Sequence, residues 1–134
     1  MANISAYLSK AALDWFCIGA TPTRPATFAV GLSLGSPTSV SGSEITTASG
    51  YARQTATMAA AGTPTSSGTA TNNNAMTFGP FSGAASISGI SVWDTVLTLN
   101  SGNLLLNGLL ATARTVGIGD SLVIASGALT VSLA

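Results

Sequence analysis

The sequence predicts an all-β fold, an antiparallel β-sandwich or jelly roll of about eight strands preceded by one short α-helix. Three observations carry this expectation. From Ser86 to Ala134, short apolar and β-branched runs alternate with Asn-Ser-Gly-Asn, Gly-Ile-Gly-Asp and Ser-Gly punctuation, the pattern of successive hairpins. Between Ala26 and Leu34, apolar residues alternate with small or polar ones, the period-two signature of a strand with one buried face. Helical spacing is confined to the N-terminal segment, where Pro22 and Pro25 forbid its continuation. A lone hairpin is marginal in water, so these strands must join a larger sheet.

Taken in order, Asn3 is placed to cap a helix running from about Ile4 to Cys17. Ile4, Leu8, Ala11, Ala12 and Trp15 share one face, Tyr7 and Ile18 extend its edge, and Gly19 ends the helix. The favoured reading seats this face over one end of the sandwich. The alternative is an arm that docks on a partner subunit. In the first strand Phe28, Val30, Leu32 and Leu34 point to the core and Thr27, Ala29, Gly31 and Ser33 away from it. Gly35–Gly50 is a Ser/Thr/Gly-rich loop carrying Glu44, of a length common in contact loops. Tyr51–Met58 alternates again as a strand. Ala59–Asn74 is low in complexity and ends in three asparagines; it reads either as a mobile loop or as an extended segment ordered against another chain. Met76–Phe81 is a short strand that turns at Gly79-Pro80. Then come strands at Ile87–Trp93, Val96–Leu99 and Leu104–Leu110, with a turn at Asn100–Asn103 and Gly108 marking a bulge. Ser121–Ala125 and Ala128–Leu133 are expected to pair through a two-residue Ser126-Gly127 turn.

The 134 residues suffice for one domain, read as 1–134 with a helical segment 1–19 and a β-domain 26–134. Charged residues make up only 6% of the chain, against about 25% in ordinary soluble domains. The surface must therefore be built from Ser, Thr, Asn, Gly and Ala. Mixed charge keeps free domains apart, so such a surface suits a subunit that works packed against others; a stable secreted domain with a Ser/Thr-rich exterior is the alternative. Lys10, Arg24, Arg53 and Arg114 are scattered, which leaves no basic patch for nucleic acid. No apolar run approaches the ~20 residues that span a bilayer, and the N-terminus lacks the charged and apolar regions of a signal peptide. Cys17 is the sole cysteine, so no internal disulfide is expected. Among Trp15, Phe16 and Ile18 it reads as a buried small hydrophobe, in keeping with synthesis in a reducing cytoplasm.

Chemistry has little to build on. The absence of histidine removes the usual general base and the commonest metal ligand. The four carboxylates are Asp14, Glu44, Asp94 and Asp120. Asp94 and Asp120 both fall at strand ends or turns, where an aspartate mostly satisfies its own backbone, so a glycosidase-type pair is the weaker reading. No carboxylate or Cys/His cluster offers a metal site, and Gly117-Ile118-Gly119-Asp120 is a turn between strands, with no helix to make it a phosphate loop. No catalytic residue, cofactor or metal is expected. Arg53, between Tyr51 and Gln54, reads either as a tether to Glu44 or Asp94 or as an anchor between subunits. Trp93 reads as core.

The order of these elements resembles that of small virion proteins of tailed bacteriophages, many labelled tail-fibre-like. The matching residues are Thr23–Leu34, Ser49-Gly50-Tyr51-Ala52-Arg53-Gln54 (similar to a Gly-Tyr-Ala-Arg-Gln motif), Gly89–Asp94, Gly102-Asn103-Leu104-Leu105 with Gly108 and Leu110, and Gly119-Asp120 to Gly127–Val131. The Ser36–Ser49 loop and Ala59–Asn74 match poorly. The resemblance implies a virion structural protein and not an enzyme, located in the virion after assembly in the host cytoplasm. The favoured role is a capsid decoration or cement protein, a homotrimer bound to other virion proteins such as the major capsid protein. The alternative is a tail or tail-fibre component with a receptor- or glycan-binding groove, for which Tyr51, Trp93 and Asn72–Asn74 would have to converge. No nucleic acid or membrane partner is expected. The residues marked for subunit contacts are Ile4, Leu8, Trp15, Glu44, Tyr51, Arg53, Asn72, Asn73 and Asn74.

Overall fold

The hairpin signals of the C-terminal third produce one long antiparallel pair, and the other strands assemble around it. A computed structural model describes residues 2–41, 43–45, 50–59, 68–97 and 101–133. In chain order the elements are β1 (Ala2–Ile4), α1 (Ala6–Ile18), β2 (Ala29–Ser33), β3 (Gln54–Thr55) and β4 (Gly68–Thr71). They continue as β5 (Met76–Phe78), β6 (Ala85–Trp93), β7 (Leu104–Val116), β8 (Leu122–Ile124) and β9 (Thr130–Leu133). A five-stranded antiparallel sheet has the order β1-β7-β6-β2-β3, and two ribbons, β4·β9 and β5·β8, complete the fold. The chain is an all-β sandwich with one short helix. Val30, Leu32, Ile87, Val92, Leu105, Leu106 and Val116 of the sheet meet Met76, Phe78 and Phe81, with Leu122, Ile124 and Val131 of the ribbons packed against them.

Several elements differ from expectation for identifiable reasons. The helix starts later, because Asn3 is used in pairing β1 with β7 opposite Asn107. Buried Ser5 caps it instead, accepting from Leu8 N at 3.1 Å while its own N–H donates to Leu105 O at 3.0 Å. Gly19 ends the helix at φ 69°, a left-handed position that favours glycine, and its N–H returns to Asp14 O. Cys17 is exposed, not buried. β2 is buried on both faces: Glu44 and Tyr51 close over Gly31, Glu44 bridges to Ser33, and Ala29 packs with Trp93 and Leu104. Leu34, beyond it, is exposed.

Only Gln54–Thr55 of the Tyr51–Met58 alternation pairs with β2. Part of the low-complexity segment is ordered within the chain itself, as β4 against β9. Residues 60–67 lie outside the described residues, as do 98–100, which hold the second half of the expected Val96–Leu99 strand. β6 pairs directly with β7. Gly108 is not the bulge: it sits opposite Ile90, while the register slips further on, where Leu110–Ala113 stand opposite the single Ser88. β8 and β9 do not pair with each other but with β5 and β4, although Gly127 does turn the chain at φ 78°. Among the described residues no helix is long and apolar enough to cross a membrane.

Candidate functional site

The residues marked for contact fall into three groups. Glu44, Tyr51 and Arg53 come together as one polar cluster against the second face of β2. Arg53 Nε and Nη2 donate to the two oxygens of Glu44, each at 2.8 Å, and Nη1 donates to Thr95 O at 3.1 Å and Ser101 O at 3.0 Å. The guanidinium lies 4.0 Å from the centre of the Trp93 ring, a cation–π contact strengthened by desolvation. Trp93 Nε1 in turn donates to Ser91 Oγ at 2.9 Å. The Tyr51 hydroxyl donates to Glu44 Oε1 at 2.5 Å and accepts from Leu32 N at 3.0 Å, while its ring stacks on Phe78. Burial, and then the hydrogen bond to the Glu44 carboxylate, push the Tyr51 phenol far above its ordinary range.

Local sequence dictates this arrangement. A Cβ at position 31 would stand 2.7 Å from Glu44 Oε1 and 2.8 Å from the Tyr51 hydroxyl, so glycine is what admits the cluster onto the sheet. The side chains of Arg53 and Glu44 are buried, and a paired carboxylate with no open approach cannot act as a general base. The cluster ties Glu44, Tyr51 and Arg53 to the backbone at Thr95 and Ser101. Of the two readings of Arg53, the tether to Glu44 is the one formed.

Asn72–Asn74 form the second group. Buried Asn72 donates to Asn74 O at 2.6 Å and Ala125 O at 2.9 Å, and its Oδ1 accepts from Leu129 N at 2.8 Å. Its carbonyl accepts from Gly127 N at 2.7 Å. Asn72 thus clasps the Ser126-Gly127 turn, which is why β8 and β9 leave that turn toward different partners. Asn74 Oδ1 accepts from Thr57 N and Oγ1 at 2.8 and 2.9 Å, while the Asn73 side chain is exposed. With Trp93 and Asn72 buried, the groove of Tyr51, Trp93 and Asn72–Asn74 that the receptor- or glycan-binding alternative requires is not formed.

The third group lies on the N-terminal segment. Leu8 packs against the core, whereas Ile4 and Trp15 are substantially exposed. Sequence reasoning missed Leu13 and Phe16, which are also exposed on α1. The signal was present: apolar residues surround this helix instead of lining one face.

The remaining carboxylates are occupied locally. Asp94 accepts from Asn103 N and Nδ2 at 2.7 and 2.8 Å, and Asp120 accepts from Gly117 N at 2.7 Å. They sit at opposite ends of the β6–β7 pair, beyond Trp93↔Leu104 and Ala85↔Val116. Eight strand intervals of about 3.3 Å separate those ends, far more than a glycosidase pair spans. Asp14 pairs with Lys10. Among the described residues no three carboxylate or thiol side chains gather to hold a metal ion.

No curated protein matches the chain. The sequence model of one family, described as Podophage GP4 fiber I protein gp80, matches residues 3–132. The polar cluster, the asparagine clasp and nearly all of the β-fold fall inside that match. The chain belongs to the podophage GP4 fiber I protein gp80 family and is a structural protein of a bacteriophage virion.

Proposed function

We propose that the chain is a fibre component of a podophage particle that works mechanically, as a homo-oligomer, with trimers favoured, held to other virion proteins through subunit contacts. The observation that carries this reading is the family match over residues 3–132. The structure supports it by what it does with charge. Glu44 with Arg53 and Lys10 with Asp14 neutralise each other, and Asp94 and Asp120 cap their own turns. The exterior is left without net charge, hydroxyl-rich and apolar in places, a surface suited to packing against neighbours.

Sequence reasoning favoured capsid decoration, on the small size, the lack of a stalk and the low charge. The fibre family moves the proposal to the alternative. Gold-labelled antibody against the purified chain, bound to intact virions and viewed by electron microscopy, tests it. Label at the tail region is the expected result; label distributed over the capsid faces would overturn the fibre reading in favour of decoration.

A further inference from the structure

β7 and β8 leave the Gly117–Asp120 turn without pairing, although strands joined by so short a turn ordinarily close as a hairpin. Gly119 N donates to Phe81 O at 2.6 Å and Phe81 N to Asp120 O at 2.8 Å, so the turn is drawn to the chain after β5 and takes β8 with it. β7 stays with β6. Between the two opens a groove of about 740 Å3, within the range of about 300–1,000 Å3 that holds a bound molecule. Ile87, Ile90 and Leu110 line it from the sheet, and Leu122, Ile124 and Leu129 from the opposite side. All but Ile87 are only half-buried.

The long wall of this groove is a strand edge. β1 covers β7 only at Leu106–Gly108. From Leu109 to Val116, about 23 Å of strand, the edge away from β6 meets no described strand. Ala111–Thr115 are exposed, and the slip opposite Ser88 leaves backbone groups there unpaired on the β6 side as well. Unpaired backbone beside an apolar floor selects an extended polypeptide, which gives N–H and C=O groups to the edge and alternate side chains to the floor. Arg114 narrows the choice. It stands cross-strand from Ile87, which is fully buried, so it shares the core face and lines the groove. Among the described residues no carboxylate pairs with it.

We infer that this groove takes an extended segment of another virion protein, apolar at alternate positions and with a carboxylate set against Arg114. The inference rests on the reading of the chain as a subunit held to other virion proteins, and names the surface that holds one of them. A second copy is a poor occupant. Its β7 brings another arginine, and its four carboxylate side chains are taken up by Lys10, Arg53 and two turns. Each described strand is also already paired within its own chain.

The test titrates the purified full chain against fluorescent peptides of about twelve residues, tiled over the particle's other structural proteins and over this chain itself. The expected result is polarisation showing that a peptide from another virion protein binds, with apolar residues at every second position and an Asp or Glu. Changing that acid to its amide weakens binding about tenfold, the scale of a desolvated interfacial ion pair. Arg114→Glu loses the peptide and binds its Lys-substituted form instead, a reversal that a merely structural arginine does not produce. Amide exchange in the complex slows within Leu109–Val116. Should Arg114→Glu fail to fold, Arg114→Gln replaces it, with the same tenfold loss expected. The inference is overturned if no peptide binds, if binding ignores Arg114, if only peptides of this chain bind, or if the slowed amides lie elsewhere. Any of those outcomes together with gold label at the tail leaves the fibre reading standing. A groove that binds as expected in a chain labelled over the capsid faces removes the fibre reading and keeps the groove.

Discussion

Arg53 places four N–H donations on Glu44, Thr95 O and Ser101 O, and its flat face on Trp93. Removing one member of such a pair leaves the other buried and uncompensated, which costs about 3–5 kcal/mol. Glu44→Gln is therefore expected to lower the unfolding free energy by about that amount in urea titration. Replacing both partners at once with apolar residues should cost less than the single change, because no charge is left stranded. Tyr51 gives a pH dependence of defined sign. Its phenol is held above the ordinary value near ~10 by burial and by Glu44. Below that pH both folded and unfolded chains keep the proton. Above it the unfolded chain loses a proton that the folded chain retains, so stability falls as pH rises, by up to about 1.4 kcal/mol per pH unit. Urea midpoints measured on either side of that range should show a shallower alkaline decline in Tyr51→Phe than in the wild type.

At the scale of elements, Asn72 decides where two strands go. Its side chain holds Ala125 O and Leu129 N on either side of the Ser126-Gly127 turn, and β8 and β9 part there to reach β5 and β4. In Asn72→Ala these part-buried backbone groups lose their partners, at about 1 kcal/mol each. A total loss of about 2–3 kcal/mol is expected. Hydrogen exchange should speed up in the β4·β9 ribbon while the β6–β7 pair keeps its protection, since that pair owes nothing to Asn72.

At the scale of the whole molecule, the eight charged residues define what the outside can do. Six of them are engaged in the contacts described above, and Arg24 and Arg114 remain exposed. The self-association proposed above is then expected to be apolar. The oligomer expected in sedimentation velocity should persist from about 0.1 to about 1 M NaCl, a range over which the Debye length shortens from about 10 to 3 Å. Dissociation across that range would point to a charge-driven contact instead.

The strands and their turns were legible because alternation, β-branching and glycine punctuation are local properties. β2, β5, β6, the start of β7 and the turns at Gly79-Pro80 and Gly127 all lie where those patterns place them. The approximate helix was legible as well, but its cap was not: Asn3 and Ser5 both fit the chemistry, and strand pairing with Asn107 took the first. Partner choice was decided by the tertiary structure alone. Nothing adjacent to Ser126-Gly127 says that a buried asparagine more than fifty residues earlier will separate the strands on either side. Nor does a sequence distinguish an arginine that reaches a neighbouring subunit from one that folds onto Glu44. That choice depended on Gly31 leaving space where the loop crosses β2. The sequence by itself determined an all-β fold of very low charge with one apolar helix. The tertiary structure decided which charges are buried on each other and which apolar face stays open, because burial depends on where distant segments meet.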